Sequence, residues 1–214
     1  MPVLSTRARL RRTRTALGAA AEGIRRVVLL GPAHRVPLRG MAFPSVTAFD
    51  TPLGVVPLDT RAIARALELP NTGVSDRAHA LEHCLEVQLP FLQTVLKDFE
   101  LVPFLVGHCA PEEVAAVLQA LWGGEETLIV VSSDLSHFLP YAQAQAVDAR
   151  TSQAIAARSS DLTGEDACGA FPINGLMVAA RAMDLRVTTL DVRNSGDTAG
   201  DRDQVVGYGA YALA

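Results

Sequence analysis

The chain has 214 residues, 49% of them hydrophobic, enough for one domain with a sizeable buried core. A net charge of −4 and an aromatic content of only 5% provide neither the basic surface nor the stacking platforms of a nucleic-acid binder, so DNA and RNA are excluded as partners. Cys84, Cys109 and Cys168 lack Cys-x-x-Cys spacing, which argues against a disulfide framework or zinc knuckle and fits a reducing, cytoplasmic setting. No apolar run approaches the roughly 20 residues of a membrane helix.

Residues 1–23 crowd Arg7, Arg9, Arg11, Arg12 and Arg14 into an acid-poor stretch, so the chain divides into an atypical N-terminal segment at 1–23 and one domain at 24–214. The β-branched run at 26–30 reads as a buried parallel strand that stops at Gly31-Pro32 and presents His34 beyond its end. Residues 31–57 are punctuated by Pro and Gly and read as loops and short extended pieces. Thr60 caps a helix that ends at Pro70-Asn71. From 79 to 99, Leu81, Leu85, Leu89, Leu92 and Leu96 keep helical spacing, with a kink or restart expected at Pro90. A strand at 101–106, a helix at 111–122 and a strand at 127–132 follow. Helices at 141–158 and 173–183, then strands at 187–192 and 205–212, close the chain. Strands separated by helix-length connections predict a single-domain α/β fold with a mixed, mostly parallel central sheet flanked by helices.

Four places carry residues suited to chemistry. His34 lies just past a strand end, where open α/β sheets bind ligands. His79 and His83, four apart, share one face if the helix reaches back that far, a spacing that can hold zinc; Glu82 and Glu86 read as solvated helix charges. Ser132-Ser-Asp-Leu-Ser-His137 follows a strand with hydroxyls, a carboxylate and a base, but lacks the flanking glycines of a nucleophile elbow. Its plainer reading has Ser132 and Asp134 capping the next helix. Cys168 precedes Gly169 near a helix start, as a nucleophile, a soft metal ligand or a small core residue. Cys84 and Cys109 are the better candidates for an inert core role.

Taken in order, Leu30-Gly-Pro-Ala-His34, Glu82-His-Cys-Leu-Glu-Val-Gln-Leu-Pro90, Val131-Ser-Ser-Asp-Leu-Ser-His137, Cys168-Gly-Ala-Phe-Pro-Ile173 and Gly207-Tyr-Gly-Ala-Tyr211 resemble the Memo family. That family includes the prokaryotic proteins called AmmeMemoRadiSam system protein B. The resemblance implies a fold like that of class III non-haem-iron extradiol dioxygenases. It also implies a pocket with His34, His83 and Cys168 on a metal, and with His137 as acid/base beside Asp134. Thiolate in place of the dioxygenase carboxylate softens such a site toward iron or copper, with zinc the weaker candidate. Residues 1–23 contain no Pro-His-Ala-Gly-Tyr-like motif of the kind that precedes the first strand in the family. They read as the product of a misplaced start or a shifted frame, with a missing strand and an exposed sheet edge as the expected consequences.

Two functions fit this reading. One is a metal-dependent oxidoreductase acting on a small molecule. The alternative is a non-catalytic adaptor that uses the same pocket for a peptide or a partner enzyme, a radical-SAM protein among the candidates.

Overall fold

The computed structural model describes residues 18–198 and 201–214, so most of the arginine-rich segment lies outside the described residues. The strands are β1 (Arg26–Pro32), β2 (Met41–Phe43), β3 (Ala48–Thr51), β4 (Gly54–Pro57), β5 (Thr72–Val74), β6 (Glu100–Val106), β7 (Thr127–Val131), β8 (His137–Leu139), β9 (Val187–Asn194) and β10 (Val205–Leu213). The helices are α1 (Thr60–Ala66), α2 (Asp76–His79), α3 (Leu89–Val95), α4 (Pro111–Leu121), α5 (Tyr141–Ala156) and α6 (Ala170–Ala182).

The main sheet has the order β5-β2-β6-β1-β7. β1 runs parallel to β6 and β7, β2 is parallel to β5, and only the β2–β6 pair is antiparallel. β1 is therefore paired on both sides, and among the described residues the row ends at β7. Successive side chains of a strand face opposite ways, so Val28 and Leu30 enter one core layer while Val27 and Leu29 enter the other. The first layer is covered by α4 and α6 through Val114, Leu118, Ile173 and Met177; the second by Leu85, Leu89 and Leu92. A second sheet, β8-β10-β9, is antiparallel and carries α5 against it. The mixed, mostly parallel main sheet between helices is the fold class read from the sequence. No helix among the described residues is long and apolar enough to cross a membrane.

Between 79 and 99 the restart expected at Pro90 is found, and the largest departure lies before it, where the leucine spacing predicts helix. α2 ends at His79, a turn follows, a 3-10 turn spans Glu86–Gln88, and α3 restarts at Leu89 with Pro90 in its first turn. The Glu82 carboxylate explains the interruption: it accepts the backbone N–H groups of His83 at 2.9 Å and Cys84 at 3.2 Å, competing with helical hydrogen bonding. Leu81, placed on the buried face by the helical reading, is 76% exposed. Asp59, not Thr60, caps α1 by accepting the Ala62 N–H at 2.8 Å. No helix follows Ser132 and Asp134 directly, so they cap none; the chain passes into β8.

Candidate metal centre

Because β1, β6 and β7 are parallel, their carboxyl ends form one rim. The segments carrying His34 and Asp134 leave β1 and β7 there, which is where such sheets position ligands. The turn after α2 brings Glu82 and His83 to the same place. Ligand-capable atoms of His34, Glu82 and His83 all lie within 4.8 Å of one another.

Glu82 organises this cluster. Its side chain is 2% exposed, and besides the two backbone donors of its own turn it accepts the His34 N–H at 2.6 Å. His34 Nδ1 lies 3.0 Å from Glu82 Oε1 and His83 Nδ1 3.4 Å from the same oxygen. Burial would raise the Glu82 pKa, but the hydrogen bonds from the His34 ring and these backbone N–H groups outweigh it and hold the carboxyl at about 2. An ionised carboxylate only accepts hydrogen bonds, so His34 Nδ1 is assigned a proton and donates to Glu82 Oε1. The His83 ring stacks on His34 with centroids 5.7 Å apart.

Cys168 lies near this group. Its hydrogen bond with His34 is the largest influence on that imidazole; with Glu82 adding to it and burial opposing both, the His34 pKa rises to about 9. The Asp134 N–H donates to Cys168 Sγ at 3.2 Å, and the Cys168 N–H donates to the Asp134 carbonyl at 3.3 Å, pinning the two loops together. Gly169 permits the approach: a Cβ there would sit 2.7 Å from the side chain of Ser133. Gly31 does the same for the Glu82 turn, since a Cβ on it would meet Cys84 Sγ at 2.7 Å.

His137 stands at the edge of the cluster, its Nε2 3.8 Å from Asp134 Oδ2, beyond hydrogen-bond length. The Ser136 N–H, donating to Asp148 Oδ1 at 3.0 Å, ties this loop to α5. Next to His137, Phe138 is 69% exposed at φ +57, a left-handed conformation that a bulky residue rarely adopts.

His34 and His83, distant in sequence, are thus brought together around Glu82, while Cys168 lies near His34 with the Asp134 N–H on its sulfur, and His137 lies near the Asp134 carboxylate. His79 is not part of the group. Its Nε2–H donates to the Ala42 carbonyl at 2.9 Å, and burial lowers its pKa, so it is a neutral histidine tying α2 to β2. Cys84 donates to the Pro32 carbonyl at 3.2 Å, with burial pushing its thiol pKa up; Cys109 is raised by burial to about 11. Glu82 corrects the sequence reading, because it is a buried acceptor and not a solvated helix charge. The sequence-level trace of this lies in its neighbour His83, since a carboxylate beside a candidate ligand is a common orienting arrangement. Gln88 was also missed; its Nε2 donates to Ser132 Oγ at 2.9 Å beneath the rim.

Comparison with known proteins agrees with the motif order. The family profile described as Memo-like protein matches residues 16–212. A MEMO1 family protein of Aquifex aeolicus is 34% identical over 195 residues, covering 86% of this chain and 73% of the relative. One of Methanopyrus kandleri is 35% identical over 204 residues, covering 87% and 71%. The crystal structure of an uncharacterized protein, JW3007, from Escherichia coli K12 superposes with a TM-score of 0.58 at 16% identity, covering 92% of this chain and 91% of that one, a likeness of fold alone. With a profile match across nearly the whole length and relatives at this identity, the chain belongs to the Memo-like protein family.

Proposed function

We propose that His34, His83 and Cys168 hold an iron or copper ion, and that the chain is an oxidoreductase acting on a small molecule bound beside His137. The observation that carries this reading is the cluster of His34, Glu82 and His83, whose ligand-capable atoms lie within 4.8 Å of one another, with Cys168 near His34. The donor chemistry fits. Two imidazoles and a thiol make a mixed, soft set that leaves open positions for substrate, and a metal-bound histidine normally gives its second nitrogen to a carboxylate. Glu82 has its oxygens engaged by four N–H donors, so it is assigned to orientation and not to ligation.

When bound, a redox-active ion supplies electron transfer to or from the substrate. The protein's own share is positioning and proton movement. The Asp134 N–H donates to Cys168 Sγ, and the paired loops hold the sulfur in place. His137, with its ring 32% exposed and 3.8 Å from the Asp134 carboxylate, is the group assigned to take or return a proton at substrate. The three cysteines are free, which suits a reducing cytoplasm.

Elemental analysis of the purified, untagged full chain tests the proposal. Iron or copper near one equivalent is expected in the native chain and in the Cys84→Ser and Cys109→Ser variants, with a loss of about tenfold or more in Cys168→Ser. Equal retention in all three variants overturns the ligand assignment. A native chain that takes up no metal, yet binds a partner through this rim, overturns the enzyme reading in favour of the adaptor.

A further inference from the structure

A recess opens beside His137. It encloses about 400 Å³ and is lined by His137 and Leu139 of β8, Val147 and Arg150 of α5, and Glu165 and Asp166 of the loop before Cys168. Its size is at the lower end of small-molecule sites, roughly 300–1,000 Å³.

The lining specifies a charge pattern. Arg150 is exposed, and among the described residues it enters no ion pair with a carboxylate. Its planar fork matches a carboxylate on a ligand. Glu165 likewise has no ion-pair partner among the described residues. Asp166 is partly committed, its Oδ2 accepting the N–H and hydroxyl of Thr163 at 2.9 Å each, which stiffens the loop. Two acidic residues lining the recess with one arginine disfavour a dianion such as phosphate, because like charges brought together are costly. They favour a ligand that also carries a positive group, and Leu139 and Val147 in the lining offer apolar contact.

We propose that this recess binds a small zwitterionic monocarboxylate, an amino-acid-like molecule with its carboxylate on Arg150 and its ammonium on Glu165. As a binding site it stands on its own lining. As the place of the substrate it rests on the metal-centre reading, to which His137 and the short link from Asp166 to Cys168 connect it.

Calorimetry and imidazole NMR on the full chain, metal-free and metal-loaded, test it with L-leucine, 4-methylpentanoate (no ammonium), 3-methylbutylamine (no carboxylate) and inorganic phosphate. L-leucine is expected to bind and shift the His137 resonances, each truncated analogue to bind about tenfold or more weakly, and phosphate not to compete. Arg150→Gln weakens L-leucine and 4-methylpentanoate but leaves 3-methylbutylamine unchanged; Glu165→Gln does the reverse. No binding of any organic probe, phosphate binding as tightly as L-leucine, or unchanged L-leucine affinity in both variants overturns the proposal. Metal content separates the two readings. Arg150→Gln keeps the native metal content, and Cys168→Ser keeps L-leucine binding in the metal-free state, so either reading can fail without the other.

Discussion

At the middle of the sheet Leu30 and Val131 are register partners across β1 and β7 with almost no exposed surface, whereas four residues further on His34 holds a buried carboxylate and faces a thiol at the solvent edge. The two regions are stabilised differently. Burying a leucine side chain such as Leu30 contributes about 1.5–3 kcal/mol without regard to direction, so the sheet centre depends on volume and shape. The rim depends on direction: Glu82 is tolerated in its buried position because each donor it meets lies at hydrogen-bonding distance and angle. Leaving one such group unpaired costs about 1–3 kcal/mol. Conservative changes in volume should therefore disturb the first region, and conservative changes in polarity the second.

Leu30→Ala tests the sheet side and should have the largest effect, a loss of about 2–5 kcal/mol of unfolding free energy in urea, from a cavity at a site with no exposed surface. The comparison breaks if the variant is as stable as the native chain. Glu82→Gln tests the rim without changing its volume. The amide can present its NH₂ where Glu82 accepts N–H groups, so the His34 ring loses its fixed tautomer. Metal affinity, read by competition with a chelator, should fall about 10- to 100-fold while the fold persists. Unchanged affinity would mean that Glu82 merely fills space.

A smaller effect comes from the opposite end of β1, where Asp59 accepts from Arg26 at 2.7 Å and caps α1. Burial raises the Asp59 pKa, but the Ala62 N–H and the Arg26 guanidinium lower it more, so it lies below the ordinary carboxylate value of 3.8. A depressed pKa stabilises the fold above the unfolded value, and that contribution is lost as pH falls through the folded one. Asp59→Ala should cost about 1 kcal/mol at pH 7, with a shallower fall in stability below pH 4 than the native chain shows in urea melts. Parallel acid limbs in the two proteins would sink this account.

Much of the architecture was legible because its signals are local. The apolar runs of β1, β6 and β7 could be read as buried parallel strands, and α4 announced itself with Pro111 and the acidic pair Glu112-Glu113 in its first turn. The candidate site was legible as separate motifs in a recognisable order. The leucine spacing from 81 to 96 misled because it matches a helix equally well whether or not the chain turns within it. The decisive interaction, the Glu82 carboxylate bonding to His34 of another segment and to its own turn, leaves no periodic trace.

By itself, then, the sequence determined the strand and helix content, the single α/β core and the family, since these follow from hydrophobic period, turn residues and motif order. The motif order already singled out His83, but only the tertiary structure showed why His79 and His83 part company. Both are histidines near the end of one short helix. One is drawn under the sheet edge by the Ala42 carbonyl, and the other is turned out to the rim by a carboxylate that must satisfy its own burial. That choice depends on which acceptors and donors lie across the sheet, and their positions are set by the packing of the whole chain.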